Sequence, residues 1–78
     1  RLFGRKRPAR YKIKIVAENG ETFYWHKRGA LHTVESDVAD LFVEKFNPNL
    51  FQVRRDGSLH PPVDGETLPI KKVIKEPA

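Results

Sequence analysis

The sequence predicts a small α+β fold: an antiparallel sheet of three to four strands, one helix packed on one face in β-β-α-β order, and a flexible basic N-terminal arm. Three observations support it. Alternating apolar and basic residues flank a hairpin signal over residues 11–27, and apolar residues recur at helical spacing over residues 34–46. Five of the 15 Lys and Arg residues fall in the first ten positions, without an acid among them. We therefore divide the chain into an arm, residues 1–10, and one domain, residues 11–78.

The first two strands are predicted on either side of Asn19-Gly20, a dipeptide typical of tight hairpin turns. A two-residue loop would set Lys14 opposite Trp25 and expose the aromatic rings beside lysines. A three-residue loop, with Gly20 in a left-handed bulge, would set Ile15 opposite Phe23. We favour the second register because it separates apolar from polar side chains. It places Ile13, Ile15, Phe23 and Trp25 on one face, and Lys12, Lys14, Tyr24 and His26 on the other.

A helix is predicted after Gly29, with Thr33 as its N-cap and Asn47-Pro48-Asn49 as its end. Glu35 and Asp37 place negative charge in its first turn. Its apolar stripe is expected at Val34, Val38, Leu41, Phe42 and Phe46. Asp37, Asp40 and Glu44 would form an acidic outer surface that repels phosphate.

The rest of the chain predicts one further strand and a weaker one. Residues 50–55 form the third strand, which ends at Asp56-Gly57. Residues 68–74 form a short edge strand or remain partly extended, because Pro69 and several lysines suit a sheet edge. No long final strand is expected.

The order of these elements resembles a ubiquitin-like β-grasp. The segments that carry the resemblance are the Ala17-Glu18-Asn19-Gly20-Glu21 turn, Thr33-Val34-Glu35 at the helix start, and Val63-Asp64-Gly65-Glu66-Thr67-Leu68. A C-terminal diglycine is missing, so the resemblance does not imply conjugation. No diagnostic motif assigns the chain to this family.

Composition excludes several classes of function. A chain of 78 residues buries only roughly 60% of its unfolded surface, which argues against a deep catalytic cleft. It has no cysteine, hence no disulfide or thiolate zinc site, and its histidines lack metal-ligand spacing. No apolar run approaches the roughly 20 residues of a membrane-spanning helix. We expect an intracellular, cytoplasmic protein that is not an enzyme and has no catalytic, cofactor or metal site.

The basic arm is the sharpest functional signal. Without it, ten basic residues balance ten acidic ones, so the net charge of +5 resides in the arm. Such clustering favours phosphate binding, and nucleic acid, DNA or RNA, is the leading partner. The alternative is a protein-interaction module, such as an assembly subunit, virion component or inhibitor, that docks on an acidic protein surface. A solvated linker or tail has the same composition. The candidate binding residues are Arg5, Lys6, Arg7, Arg10, Lys12, Lys14, Tyr24, Lys27, Arg28, Arg54 and Arg55.

Overall fold

The computed structural model describes residues 9–78, which form a small α+β fold with antiparallel sheets and one helix in this range. Its strands fall into a four-stranded, a three-stranded and a two-stranded sheet, rather than into one sheet. The elements in chain order are β1 (Arg10–Ala17), β2 (Thr22–Tyr24), β3 (His26–Lys27), β4 (Ala30–Leu31), β5 (Thr33–Glu35), α1 (Ser36–Lys45), β6 (Gln52–Arg54), β7 (Leu59–His60), β8 (Thr67–Leu68) and β9 (Ile70–Pro77).

Strand β1 is the centre of the four-stranded sheet. Strand β9 pairs antiparallel with it from Tyr11↔Pro77 to Ala17↔Ile70 and therefore fills one of its edges. Strands β2 and β5 share the other edge, β2 beside residues 14–16 and β5 beside residues 10–12. The expectation of no long final strand is wrong, because β9 has eight residues. The first and last strands of the described residues, β1 and β9, run antiparallel.

The β1–β2 hairpin has the three-residue loop that the sequence favours. Ile15 pairs with Phe23, and the amide N–H of Gly20 donates to the Ala17 carbonyl at 3.0 Å. Gly20 has φ +91°, a left-handed conformation that glycine adopts without a Cβ penalty. In this register Ile13 and Ile15 point into the core and are fully buried.

Helix α1 begins later than predicted and turns a different face to the sheet. Thr33 pairs with Lys12 in β5, so it is not the N-cap, and the helix starts at Ser36. Val38 and Leu41 were expected in the apolar stripe but are 47% and 55% exposed. The inward face is centred on fully buried Ala39, whose small side chain fits where the helix packs on the sheet. Phe42, Val43 and Phe46 complete this face.

A three-stranded sheet closes the other side of the core. Its central strand β6 carries Val53, fully buried, between Leu59 of β7 and Leu68 of β8. The expected strand over residues 68–74 is instead divided at Pro69. The chain therefore leaves one sheet after β8 and joins the other as β9. The buried cluster consists of Ile13, Ile15, Ala39, Val53, Ile70 and Val73.

Candidate functional site

A two-stranded hairpin interrupts the edge of the main sheet and forms one wall of the candidate site. At its base, the Trp25 N–H donates to the Ile13 carbonyl, and the His32 N–H donates to the Trp25 carbonyl at 2.9 Å. At its tip, Arg28 and Gly29 have φ of +54° and +80° and connect the paired residues Lys27 and Ala30. Two central residues with positive φ define a type I′ turn. The turn presents Lys27 and Arg28 to solvent.

Hydrogen bonds fix this hairpin, which we call the β3–β4 hairpin, against the second sheet. The His26 N–H donates to the Gly57 carbonyl at 3.1 Å, in the loop between β6 and β7. The imidazole Nδ1 of His26 lies 2.7 Å from the Tyr24 carbonyl oxygen, so this nitrogen carries the proton and donates. The wall of the site is therefore held by one backbone and one side-chain hydrogen bond of His26.

Four aromatic side chains, which we call the aromatic row, lie beside the hairpin: Trp25, Phe42, Phe46 and Phe51. Successive ring centroids are 4.6, 5.7 and 6.3 Å apart, distances typical of interacting aromatic pairs. Successive ring planes are inclined by 33°, 27° and 31°. Phe51 is 39% exposed, so the row ends on an accessible ring.

The aromatic row lines a groove of about 370 Å³. Its wall is mainly apolar, with charged and polar groups at the rim. A second hollow of about 220 Å³ shares three rings of the row, Phe42, Phe46 and Phe51. Besides the row, the groove is lined by His26, Lys27, Arg28, Ser58 and Leu59, and the hollow by Lys45, Asn47 and Leu50.

The charged side chains that line the groove and the hollow, Lys27, Arg28 and Lys45, are positive, and the nearby Asp56 carboxylate accepts hydrogen bonds from Ser58. The ammonium of Lys27 lies 5.6 Å from the Trp25 ring centroid, a cation–π contact that leaves its charge uncompensated. Within residues 9–78, Lys27, Arg28 and Lys45 form no ion pair. Helical spacing sets Lys45 on the flank of Phe42, while Asp40 lies on the flank that faces β9. The predicted acidic surface of α1 is thus turned away from the groove.

His32 lies at the base of the β3–β4 hairpin and packs edge-on against Trp25, with centroids 4.6 Å apart. Burial, followed by the charges of Lys27 and Arg10, lowers the pKa of His32. The imidazole is therefore neutral at pH 7. The Arg10 guanidinium donates to the carbonyl of Thr33, the residue after His32, so the start of β1 lies near the hairpin base.

A second basic cluster lies on the outer face of the main sheet. The Lys12 ammonium lies over the Tyr24 ring at 4.5 Å, and Lys14 lies 3.7 Å from Glu76. The Tyr24 hydroxyl donates to Glu76 at 2.9 Å, and this hydrogen bond, with burial and the carboxylate charge, raises the pKa of the phenol. The fold therefore brings together three predicted site residues, Lys12, Lys14 and Tyr24. The Glu76 carboxylate offsets one of the two lysine charges.

The other predicted residues do not join either cluster. Arg10 donates to the Thr33 carbonyl at 2.6 Å. Arg54 lies 3.7 Å from Glu66, and Arg55 lies 3.4 Å from Glu21, so both guanidinium groups are paired. The arm residues Arg5, Lys6 and Arg7 lie outside the described residues.

The sequence predicts Lys27 and Arg28 of the groove as site residues, but Trp25 only in the two-residue register that it does not favour. It assigned Trp25 to the core and did not connect it with Phe51, because these residues are far apart in the chain. A weak signal existed in the recurrence of phenylalanine through the helix and the following segment. Lys45 was also missed.

The comparisons with known proteins give no relative for this site. No protein-family model matches the chain, and neither the curated proteins nor the solved structures yield a significant match. Between Ala9 and Ala78 there is no group of three or more His, Asp or Glu side chains placed to hold a metal ion. Over the same residues, no helix combines the length and the apolar character needed to cross a membrane.

Proposed function

We propose that this chain is a non-enzymatic module that binds nucleic acid with low sequence specificity. The observation that carries this proposal is that Lys27 and Arg28, on the tip of the β3–β4 hairpin beside an aromatic groove, form no ion pair with any residue between Ala9 and Ala78. Lysine and arginine side chains that bind phosphates displace the counterions condensed on the nucleic acid, and the release of these counterions favours association. Backbone phosphates are common to all sequences, so such contacts are unspecific.

The composition of the arm supports the same ligand. The arm joins β1 at Arg10, whose charge acts on His32 at the hairpin base. The basic residues Arg5, Lys6 and Arg7 precede β1 in the sequence. Together with the hairpin tip and Lys45, they supply the phosphate contacts. Lys12 and Lys14 contribute less, because they share Glu76.

The test is binding of a fluorescently labelled random oligonucleotide, followed by anisotropy over a series of salt concentrations. We expect affinity to fall steeply with salt. Replacing Lys27 by Gln and Arg28 by Asn removes two cations, and Asn tolerates the left-handed conformation of position 28. Each lost phosphate contact reduces the slope of log affinity against log salt by roughly 0.7 on a single strand.

The matched control removes the same charge elsewhere, by replacing Lys71 and Lys72 in β9 with Gln. Its salt slope should exceed that of the hairpin variant, although both have equal net charge. The proposal fails if the unaltered protein shows no salt-dependent binding. Equal losses in both variants would show a response to net charge alone and reject the hairpin as the contact.

A second candidate is a protein-interaction module that adds β9 to the sheet of an acidic partner. The observation in its favour is that β9, within residues 9–78, pairs with β1 alone and carries exposed Lys71 and Lys72. Strand addition satisfies unpaired backbone groups along such an edge. The protein-interaction function would be favoured if oligonucleotides failed to bind and if a captured partner slowed amide exchange in β9 but not in the β3–β4 hairpin.

A further inference from the structure

We propose that the aromatic groove accepts unpaired nucleobases, so that the protein prefers single-stranded over duplex nucleic acid. This inference rests on the proposed nucleic-acid binding and adds the class of nucleic acid. Stacking on aromatic side chains holds single strands in a sequence-tolerant way, because every base has a π-face. In a duplex the bases stack on each other and their faces are not accessible to such rings.

The arrangement of the aromatic row provides two places for bases. The groove and the adjoining hollow share Phe42, Phe46 and Phe51, so a ligand that follows the row passes from one to the other. Phe51 stands at this passage with 39% of its surface exposed. The centroids of the Phe51 and Phe46 rings lie 6.3 Å apart. The exposed part of the Phe51 ring is available to a base.

Cations stand at both ends of this path. Lys27 and Arg28 line the groove, and Lys45 lines the hollow. A single strand presents a phosphate with every base, so the alternation of rings and cations complements its chemistry. The few polar groups in the lining, such as Ser58 and Asn47, are too sparse to read base edges, which agrees with low sequence specificity.

Charge complementarity selects nucleic acid over a proline-rich peptide, the other ligand that aromatic grooves bind. A proline-rich segment needs rings but gains nothing from cations at both ends of the site. The carboxylate of Asp40 is turned to the opposite flank of α1, where it pairs with Lys75 at 2.9 Å. The Asp40 carboxylate would therefore not face a strand of phosphates bound in the groove.

Trp25 supplies the readout, because it is the chain's single tryptophan and belongs to the aromatic row. We expect its fluorescence to be quenched by oligothymidylate and to change little with a duplex of equal length. Phe51→Leu keeps an apolar side chain but removes the stacking surface. It should weaken oligothymidylate binding by roughly 5- to 150-fold, while its circular dichroism remains that of the unaltered protein.

The matched control is Tyr24→Leu, which removes a half-buried ring beside lysines on the opposite sheet face. It should leave binding of the single strand unchanged. If Tyr24→Leu weakens binding and Phe51→Leu does not, the sheet face is the platform and the inference is wrong. If single strand and duplex bind equally and Phe51→Leu has no effect, the proposal of nucleic-acid binding is retained and the proposal of a base site in the groove is rejected. If neither oligonucleotide binds while a proline-rich peptide quenches Trp25, both proposals fail.

Discussion

Gly57 lies where the hairpin loop of the second sheet approaches the main sheet, and replacing it with alanine tests how the groove wall is held. Its φ is +89°, and a Cβ at this position would overlap the Tyr24 carbonyl oxygen and lie 2.9 Å from His26 Nδ1. The Tyr24 carbonyl already accepts the hydrogen bond from His26 Nδ1, so neither group can withdraw freely. Accommodation of the methyl group requires the loop to move away from the hairpin.

Three terms set the expected loss of stability. A left-handed alanine costs about 1–2 kcal/mol. Movement of the loop breaks the hydrogen bond from His26 N–H to the Gly57 carbonyl, which contributes about 1 kcal/mol. Imperfect repacking around the methyl group adds about 1 kcal/mol. Gly57→Ala should therefore lower the free energy of unfolding by about 3–4 kcal/mol.

Gly65→Ala is the matched control. Gly65 has φ +79°, but a Cβ there would meet nothing within 4 Å, so only the conformational cost of about 1–2 kcal/mol remains. Urea unfolding followed by circular dichroism measures both variants. A difference of less than about 0.5 kcal/mol between them would show that the loop is not held against the hairpin.

Three further substitutions test other contacts. Glu76→Gln should lower the pKa of Tyr24, measured by ultraviolet absorbance in a Tyr11→Phe background, because the carboxylate that accepts the phenol hydrogen bond is removed. Since the pKa of Tyr24 is raised in the folded state, its contact with Glu76 stabilises the fold below about pH 10, and this stabilisation is lost as pH rises through the folded pKa. A Tyr24 pKa that is unchanged in Glu76→Gln would contradict the contact. Ile15→Ala should cost about 2–5 kcal/mol in urea unfolding, because Ile15 is fully buried. Leu41→Gln should change stability by less than about 0.5 kcal/mol, and a larger loss would place Leu41 on the inward face.

The sequence was most informative where short-range chemistry determines structure. Asn19-Gly20 and the alternation around it define the β1–β2 register, because a slip by one residue would expose Ile13 and Ile15. The start of the helix could not be predicted in this way. Thr33 has the chemistry of an N-cap, but its backbone pairs with Lys12, and tertiary strand pairing outweighs local preference.

The phase of α1 illustrates a second limit. With ten residues, the helix has fewer than three turns, so Val38 and Leu41 fit an apolar stripe as well as Ala39 and Val43 do. Only packing against the sheet decides between them. The groove depends on still longer-range order, since its rings come from the end of β2, from α1 and from the segment before β6.

Trp25 connects the stability of the domain with the candidate site. Its backbone bridges the main sheet and the β3–β4 hairpin through bonds with Ile13 and His32, while its side chain begins the aromatic row. The position of the ring is therefore set by the sheet rather than by a mobile loop, which pre-organises the groove for a ligand. For the same reason, a substitution of Trp25 would disturb fold and site together. Phe51 and the hairpin cations line the groove without forming such backbone bridges, so changes there disturb the fold less than a change of Trp25 would.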